Sequence, residues 1–254
     1  VILSLDEANQ FNNANKLPLF ITATCDFAPY DDPTKSSLGS YLLQGSEKGA
    51  IALVTTSRVV FAYSNRILNN QFLNFLLQKS SNNTYTTLGQ AIKNAKNNTL
   101  ALLNDVVNTR KFVILGDPAM QLAFPKLNAS ITSINGNNAL VDTLKALGKY
   151  NFEGRITDEN GNLKTDFNGT VYPTVFDKSQ TYQTLGNDVA SPISTFAEQQ
   201  NIIYKGKATV KNGLFNFSFI VPKDINYLVD KGRLSLYAEN GLIDGNGVSS
   251  SFFV

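Results

Sequence analysis

The hydrophobic pattern changes its period once along the chain, near residue 125. Before that point, short apolar runs alternate with segments whose apolar residues recur every three or four positions. Ser4 and Glu7 fit a capping box that opens a short helix running to about Asn13. Residues 17–24 then form an apolar run of the kind a strand buried on both faces carries. A polar, proline-bearing loop follows from Asp26 to Lys35, then a helix over 36–44 with Leu38, Tyr41 and Leu42 on one face. A second buried strand is expected over 50–57. Residues 64–79 place Ile67, Leu68, Phe72, Phe75 and Leu76 on one helical face. After a polar loop at 80–84 come helical segments over 88–97 and 100–108, with a break at Asn98-Thr99. A third strand over 111–118 ends in Gly116-Asp117-Pro118. Strands separated by helices predict parallel β-α-β construction.

From Leu127 onward the period is two, punctuated by turn signals. Asn-Gly pairs stand at 160–161, 212–213 and 240–241, and Asn-Gly between alternating runs is the strongest short-range hairpin signal. Phe215, Phe217 and Phe219 alternate with Asn216 and Ser218, as one buried sheet face requires. Residues 181–201 are polar and predict a surface loop. The fold expectation is therefore an α/β domain over residues 1–126, followed over 127–254 by an all-β, immunoglobulin-like sandwich.

Composition narrows the chemistry. The chain of 254 residues is 43% hydrophobic and carries 22 basic against 20 acidic residues, a formal charge of +2. It has no basic run and no lysine stripe interleaved with aromatics, which argues against a nucleic-acid partner. No apolar stretch approaches the ~20 residues of a membrane-spanning helix. There is one cysteine and no histidine, so within the chain no Ser-His-Asp triad, Cys-His dyad or histidine-ligated zinc is possible.

The single cysteine, Cys25, stands where the first strand ends, and open α/β sheets bind ligands at the carboxyl ends of their strands. It reads either as a nucleophile or as a small buried hydrophobe. Asp26, Asp31 and Asp32 beside it are hard oxygen ligands suited to Ca²⁺ or to a basic side chain; the alternative is a solvated turn closed by Pro33. Thr55, Thr56, Ser57 and Arg58 end the second strand at the same sheet edge. Thr56, Ser57 and Arg58 are candidates to line a substrate cleft, with Arg58 able to hold a carboxylate bidentately. Asp117 reads as a turn residue.

The ordered set of ITATCDF, GSYLLQGSEKGAIALVTTSR and VILGDPAMQL resembles the gingipain family of cysteine peptidases over residues 1–125, and within it the type IX secretion sortase. The resemblance implies a caspase-like fold and a Cys-His dyad in which Cys25 is the nucleophile. Its backbone N–H would share an oxyanion hole with a glycine that follows the histidine. The family's His-Gly motif would fall just before Val1, so the expectation is a C-terminal portion of a larger peptidase, inactive by itself. The resemblance further implies a secreted, cell-surface protein that needs no cofactor, with Ca²⁺ admitted. Its partners would be protein substrates bearing a C-terminal secretion signal, a surface glycolipid acceptor and other secretion components. A purely hydrolytic protease and a non-catalytic surface-binding module are the rival readings.

Overall fold

The computed structural model describes residues 3–80, 84–138 and 143–254. The expectations for Val1 and for positions 81–83 of the polar loop lie outside the described residues. The chain divides into two units, residues 1–123 and 124–254.

In the first unit, α1 (Leu5–Asn9) is opened by the expected capping box. The Ser4 hydroxyl accepts from the Glu7 N–H at 3.2 Å and the Glu7 carboxylate accepts from the Ser4 N–H at 2.6 Å. The helix stops at Asn9, a turn earlier than its pattern suggested. There follow β1 (Leu19–Ile21), α2 (Leu38–Gln44, capped by Ser37), β2 (Ala52–Thr56), α3 (Ala62–Leu77), α4 (Leu88–Leu103), α5 (Val106–Arg110) and β3 (Phe112–Leu115). β2 is the central strand, flanked by β1 and β3, and all five of its residues are buried. Its alternate side chains serve two cores: Ala52 and Val54 pack with Leu68, Phe72, Leu76 and Leu88 of α3 and α4, and Leu53 packs with Ala8 and Leu42 of α1 and α2. That division is why the segment reads as unbroken apolar sequence.

Two expectations fail here for a shared reason. β1 and β2 are parallel, but β3 runs antiparallel to β2, with Thr56 opposite Phe112 and Leu53 opposite Leu115. α4 is continuous through Asn98-Thr99, and Thr99 is buried. Two long helices in succession carry the chain away from the carboxyl end of β2 and back to it, so the next strand must start there and run the other way. β1 is also shorter and less buried than a run of apolar residues implied: its three residues are each half-buried at the sheet edge.

The second unit contains β4 (Leu127–Ile134), β5 (Asn137–Asn138), β6 (Lys149–Thr157), β7 (Gly169–Phe176), β8 (Gln180–Gln183), β9 (Thr195–Glu198), β10 (Ile202–Lys205), β11 (Ala208–Lys211), β12 (Leu214–Ile220), β13 (Arg233–Glu239) and β14 (Asp244–Ser249). Pairing runs β7-β11-β12-β6-β4-β14-β13 and returns from β13 to β7, a closed barrel. Its interior is aromatic. Phe152 stacks on Phe217 and Phe219 at centroid distances of 5.0 and 5.6 Å, and Tyr204 on Phe219 at 4.6 Å. Asn212-Gly213 turns β11 into β12 with φ of 50° and 76°, the left-handed pair that a two-residue hairpin needs. Residues 181–201 are not a plain loop: β8 and β9 pair as an exposed antiparallel ribbon.

Directly after β7 lies a buried ion pair. Lys178 Nζ donates to Asp177 Oδ1 at 2.9 Å, with the two side chains 2% and 0% exposed. The Lys178 N–H also donates to that oxygen, at 2.9 Å. Asn201 Nδ2 and the Asn226 N–H reach Oδ2 at 3.3 and 3.4 Å, and Gln199 Nε2 donates to the Asp177 carbonyl at 2.7 Å. One carboxylate thus ties the end of β7 to the segments before β10 and β13. Burial pushes its pKa up, but the hydrogen bonds from Lys178 and Asn226 outweigh that and hold it below 3.8.

Replacing Asp177 with Asn is expected to cost about 3 kcal/mol, because it strands a buried ammonium; adding Lys178→Met should recover most of the loss. With the folded pKa depressed, the wild-type contribution is present above the unfolded value and fades as pH falls through the folded one. Urea unfolding of the three proteins across acidic pH checks both statements.

Candidate active site

β1 ends at Ile21, but the chain keeps close to β2 for several residues more. The Thr22 N–H donates to the Val54 carbonyl at 3.0 Å, and the Thr22 hydroxyl to the Thr55 hydroxyl at 2.7 Å. The Thr56 hydroxyl donates to the Thr24 carbonyl at 2.8 Å. The Asp26 and Ala28 N–H groups donate to the Arg58 and Thr56 carbonyls at 3.3 and 3.0 Å. Cys25 sits in the middle of this seam and is exposed, which removes the reading of a buried hydrophobe. Its thiol donates to the Val60 carbonyl at 3.2 Å. Asp26, next in the chain, adopts φ 51°, a left-handed turn that a non-glycine residue enters only when the surroundings hold it there.

The segment that carries Val60 is itself fastened. The Phe61 N–H donates to Asn108 Oδ1 at 2.9 Å, Lys111 Nζ to the Val59 carbonyl at 2.7 Å, and the Ser57 N–H to the Lys111 carbonyl at 2.9 Å. Asn108 in turn is set by its N–H to Asp105 Oδ1 at 3.0 Å, the N-cap contact of α5. Sequence reading missed Val60, Asn108 and Lys111. Val60 serves through its carbonyl, and Asn108 and Lys111 through side chains that bond backbone groups of a distant segment, a role no residue-type pattern signals.

The three aspartates beside Cys25 share two cations, and Asp26 Oδ1 is buried with no hydrogen-bond partner. Lys35 Nζ lies 2.8 Å from Asp26 Oδ2 and 3.8 Å from Asp32 Oδ2. Arg58 grips Asp31 with both terminal nitrogens, at 2.7 and 3.0 Å. Thr34 donates to Asp32 from its hydroxyl at 2.6 Å and its N–H at 3.0 Å. The guanidinium holds the Asp31 carboxyl below its usual range, hydrogen bonds from Thr34 do the same for Asp32, and Asp26 raises Lys35. Among the described residues no group of three or more His, Cys, Asp or Glu is arranged to hold a metal ion, so the aspartate triplet is corrected to a set of ion pairs.

The cleft candidates separate. Thr56 is fully buried with its hydroxyl spent on Thr24, so it positions the cysteine loop and does not line a surface. Ser57 is half-buried against Lys111, and Arg58 is exposed but committed to Asp31. Asp117 caps its own turn by accepting from the Ala119 N–H at 2.8 Å. The arrangement holds a solvent-facing thiol, and the chain contains no histidine.

Residues 1–123 match the model of peptidase family C25. Among solved structures the chain is similar to dimeric latent PorU from Porphyromonas gingivalis, at 31% identity over 79% of this chain and 19% of that one, with a TM-score of 0.47. It is also similar to the Arg-specific cysteine proteinase gingipain R, at 15% identity over 95% of this chain and 48% of that one, TM-score 0.41. The Porphyromonas gingivalis RgpB pro- and mature domains give 16% identity, 95% and 49% coverage and a TM-score of 0.41. The chain thus spans less than half the length of each of these relatives. No curated protein matches it. No helix among the described residues is long and apolar enough to cross a membrane.

Two outcomes are expected from the site's geometry. Millimolar Ca²⁺ should leave the melting temperature unchanged, because Lys35 and Arg58 already occupy the carboxylates. Thr56→Val should loosen residues 23–28, read as faster amide hydrogen exchange there with α3 and α4 unchanged.

Proposed function

We propose that this chain, whose residues 1–123 are kin to peptidase family C25, is part of a gingipain-like cysteine peptidase in which Cys25 is the nucleophile. The observation that carries the reading is an exposed thiol at the carboxyl end of the β1–β2 pair, held by hydrogen bonds of the residues on both sides of it.

The chemistry follows from the thiol's position. The Cys25 thiolate attacks the scissile carbonyl and forms an S–C bond; the C–N bond then breaks and leaves a thioester. The thiol proton passes to a base outside this chain and from it to the departing amine. The Cys25 N–H donates to no protein acceptor among the described residues, which suits it to receive the oxyanion. An amine that attacks the thioester completes a transfer, and water completes a hydrolysis.

Transfer is the finer reading; it rests on the resemblance to the type IX secretion sortase, since the segment around Cys25 does not separate an amine acceptor from water. The enzyme is then a cell-surface sortase that removes a C-terminal secretion signal from its protein substrates and joins them to a glycolipid amine. In this reading the second unit, a closed barrel where the sequence suggested an immunoglobulin-like sandwich, follows the catalytic half, and this chain by itself is inert.

The test compares this chain, the same chain extended upstream to include a histidine, and the extended form with Cys25→Ala. Activity is expected only in the extended form with its cysteine, with a loss of about 1,000-fold or more on Cys25→Ala. Mass analysis of products formed with a panel of amines separates transfer, seen as joined product, from hydrolysis, seen as free acid. An extended protein that cleaves equally well without Cys25 overturns the assignment, and one that binds its protein partners without cleaving them favours a non-catalytic module.

A further inference from the structure

The Cys25 thiol and the Asn108 amide bind the two sides of one peptide unit. The thiol donates to the Val60 carbonyl at 3.2 Å, and the N–H of the same unit, that of Phe61, donates to Asn108 Oδ1 at 2.9 Å. The unit is trans, so its carbonyl and N–H lie in one plane and point opposite ways. S–H to carbonyl and N–H to amide oxygen thus form one continuous run, in which each hydrogen bond polarises the next. An acceptor behind the N–H makes the carbonyl in front a better acceptor for the thiol.

Asn108 is fixed for this task from within the chain. It is 1% exposed, and its N–H donates to Asp105 Oδ1 at 3.0 Å. Asp105 Oδ2 accepts from the Ser64 hydroxyl at 2.8 Å, so one aspartate ties the N-cap of α5 to the first turn of α3. Asn108 Nδ2, by contrast, is buried with no hydrogen-bond partner. An idle buried donor is destabilising, and an aspartate would accept from Phe61 without one. What the amide offers and the carboxylate does not is neutrality. A negative charge at the far end of the run would hold the proton on sulfur more firmly. The charged groups around the run are Asp26 with Lys35, Arg58 with Asp31, Lys111 on the Val59 carbonyl, and Asp105 behind Asn108.

We propose that Asn108 is a positioning residue for the nucleophile: through the Val60–Phe61 peptide it keeps the Cys25 thiol protonated and turned toward Val60 until a base takes the proton. The inference rests on the reading of Cys25 as the nucleophile. The bond from S–H to the Val60 carbonyl exists only while the proton is on sulfur, so it favours the neutral thiol. A thiolate in the same position would face a carbonyl oxygen with no proton between them. Transfer of the proton from sulfur to a base therefore also releases the side chain from Val60, and the sulfur can turn to a substrate carbonyl.

The test measures alkylation of Cys25 by iodoacetamide across pH, in this chain and in its Asn108→Ala and Asn108→Asp variants. The thiolate is the reacting form; it gains an S–C bond as iodide leaves. Asn108→Ala is expected to react at least about threefold faster than wild type near pH 7, the gain vanishing at a pH that ionises the thiol in both proteins. Asn108→Asp keeps an acceptor for the Phe61 N–H and is expected to react at or below the wild-type rate. Asn108→Leu, which fills a similar volume without an acceptor, gives the same reading if the alanine variant fails to fold. A gain of equal size at every pH reports access to the thiol and overturns the proposal, as do equal rates in all the proteins or faster reaction of Asn108→Asp. The nucleophile is tested separately by Cys25→Ala in the extended, histidine-bearing form. Cleavage that survives there removes the nucleophile reading and with it the role of Asn108. Cleavage lost there, with alkylation unaffected by Asn108, removes only the positioning role.

Discussion

The first unit depends on β2 being buried on both faces and bonded on both edges. Its five residues divide between two cores, and its carbonyls and hydroxyls continue to hold the neighbouring chain after β1 has ended. A strand so enclosed cannot shift register by one residue without sending Leu53 into the core built for Val54. The seam from Thr22 to Ala28 inherits that fixity. Cys25 is exposed, yet its neighbours are bonded to the most constrained strand of the unit. Rigidity and access are obtained together because the constraint acts through the backbone, leaving the side chain free.

The part of the site that was legible in the sequence is the part that one residue and its position define. The place of Cys25 just beyond β1 could be read because apolar runs report strands. The fate of its neighbours could not. Asp26, Asp31 and Asp32 look alike as letters. What separates a cation site from a set of ion pairs is where Lys35 and Arg58 come to rest, nine and 27 residues away from the aspartates they hold. Thr56 was legible as a strand-end polar residue but not as a buried one, because its hydroxyl is claimed by a carbonyl 32 residues away.

The fold divides in the same way. Capping at Ser4, the Asn-Gly turns and the alternating phenylalanines of β12 are local and were all readable. The direction of β3 depends on where the chain re-enters the sheet after α3, α4 and α5, and the pairing of Thr56 with Phe112 that settles it spans 56 residues. Closure of the second unit into a barrel rests on β13 meeting both β7 and β14, pairings no short window contains. The Asp177–Lys178 pair shows the limit most directly: two adjacent charged residues ordinarily mark surface, and here they mark the interior.

Electrostatics around Cys25 are set less by how many charges lie near it than by which of them are spent. The loop after the cysteine is acidic in sequence, and a pocket built from it would favour basic substrates. In the folded chain three carboxylates share two cations: Lys35 lies against Asp26 and Asp32, Arg58 grips Asp31, and Asp26 Oδ1 stays buried without a partner. The loop beside the thiol therefore keeps one negative charge in excess after its ion pairs are made. Preference in such a site comes from the groups left over once the fold has satisfied itself, because only they still gain from binding a ligand.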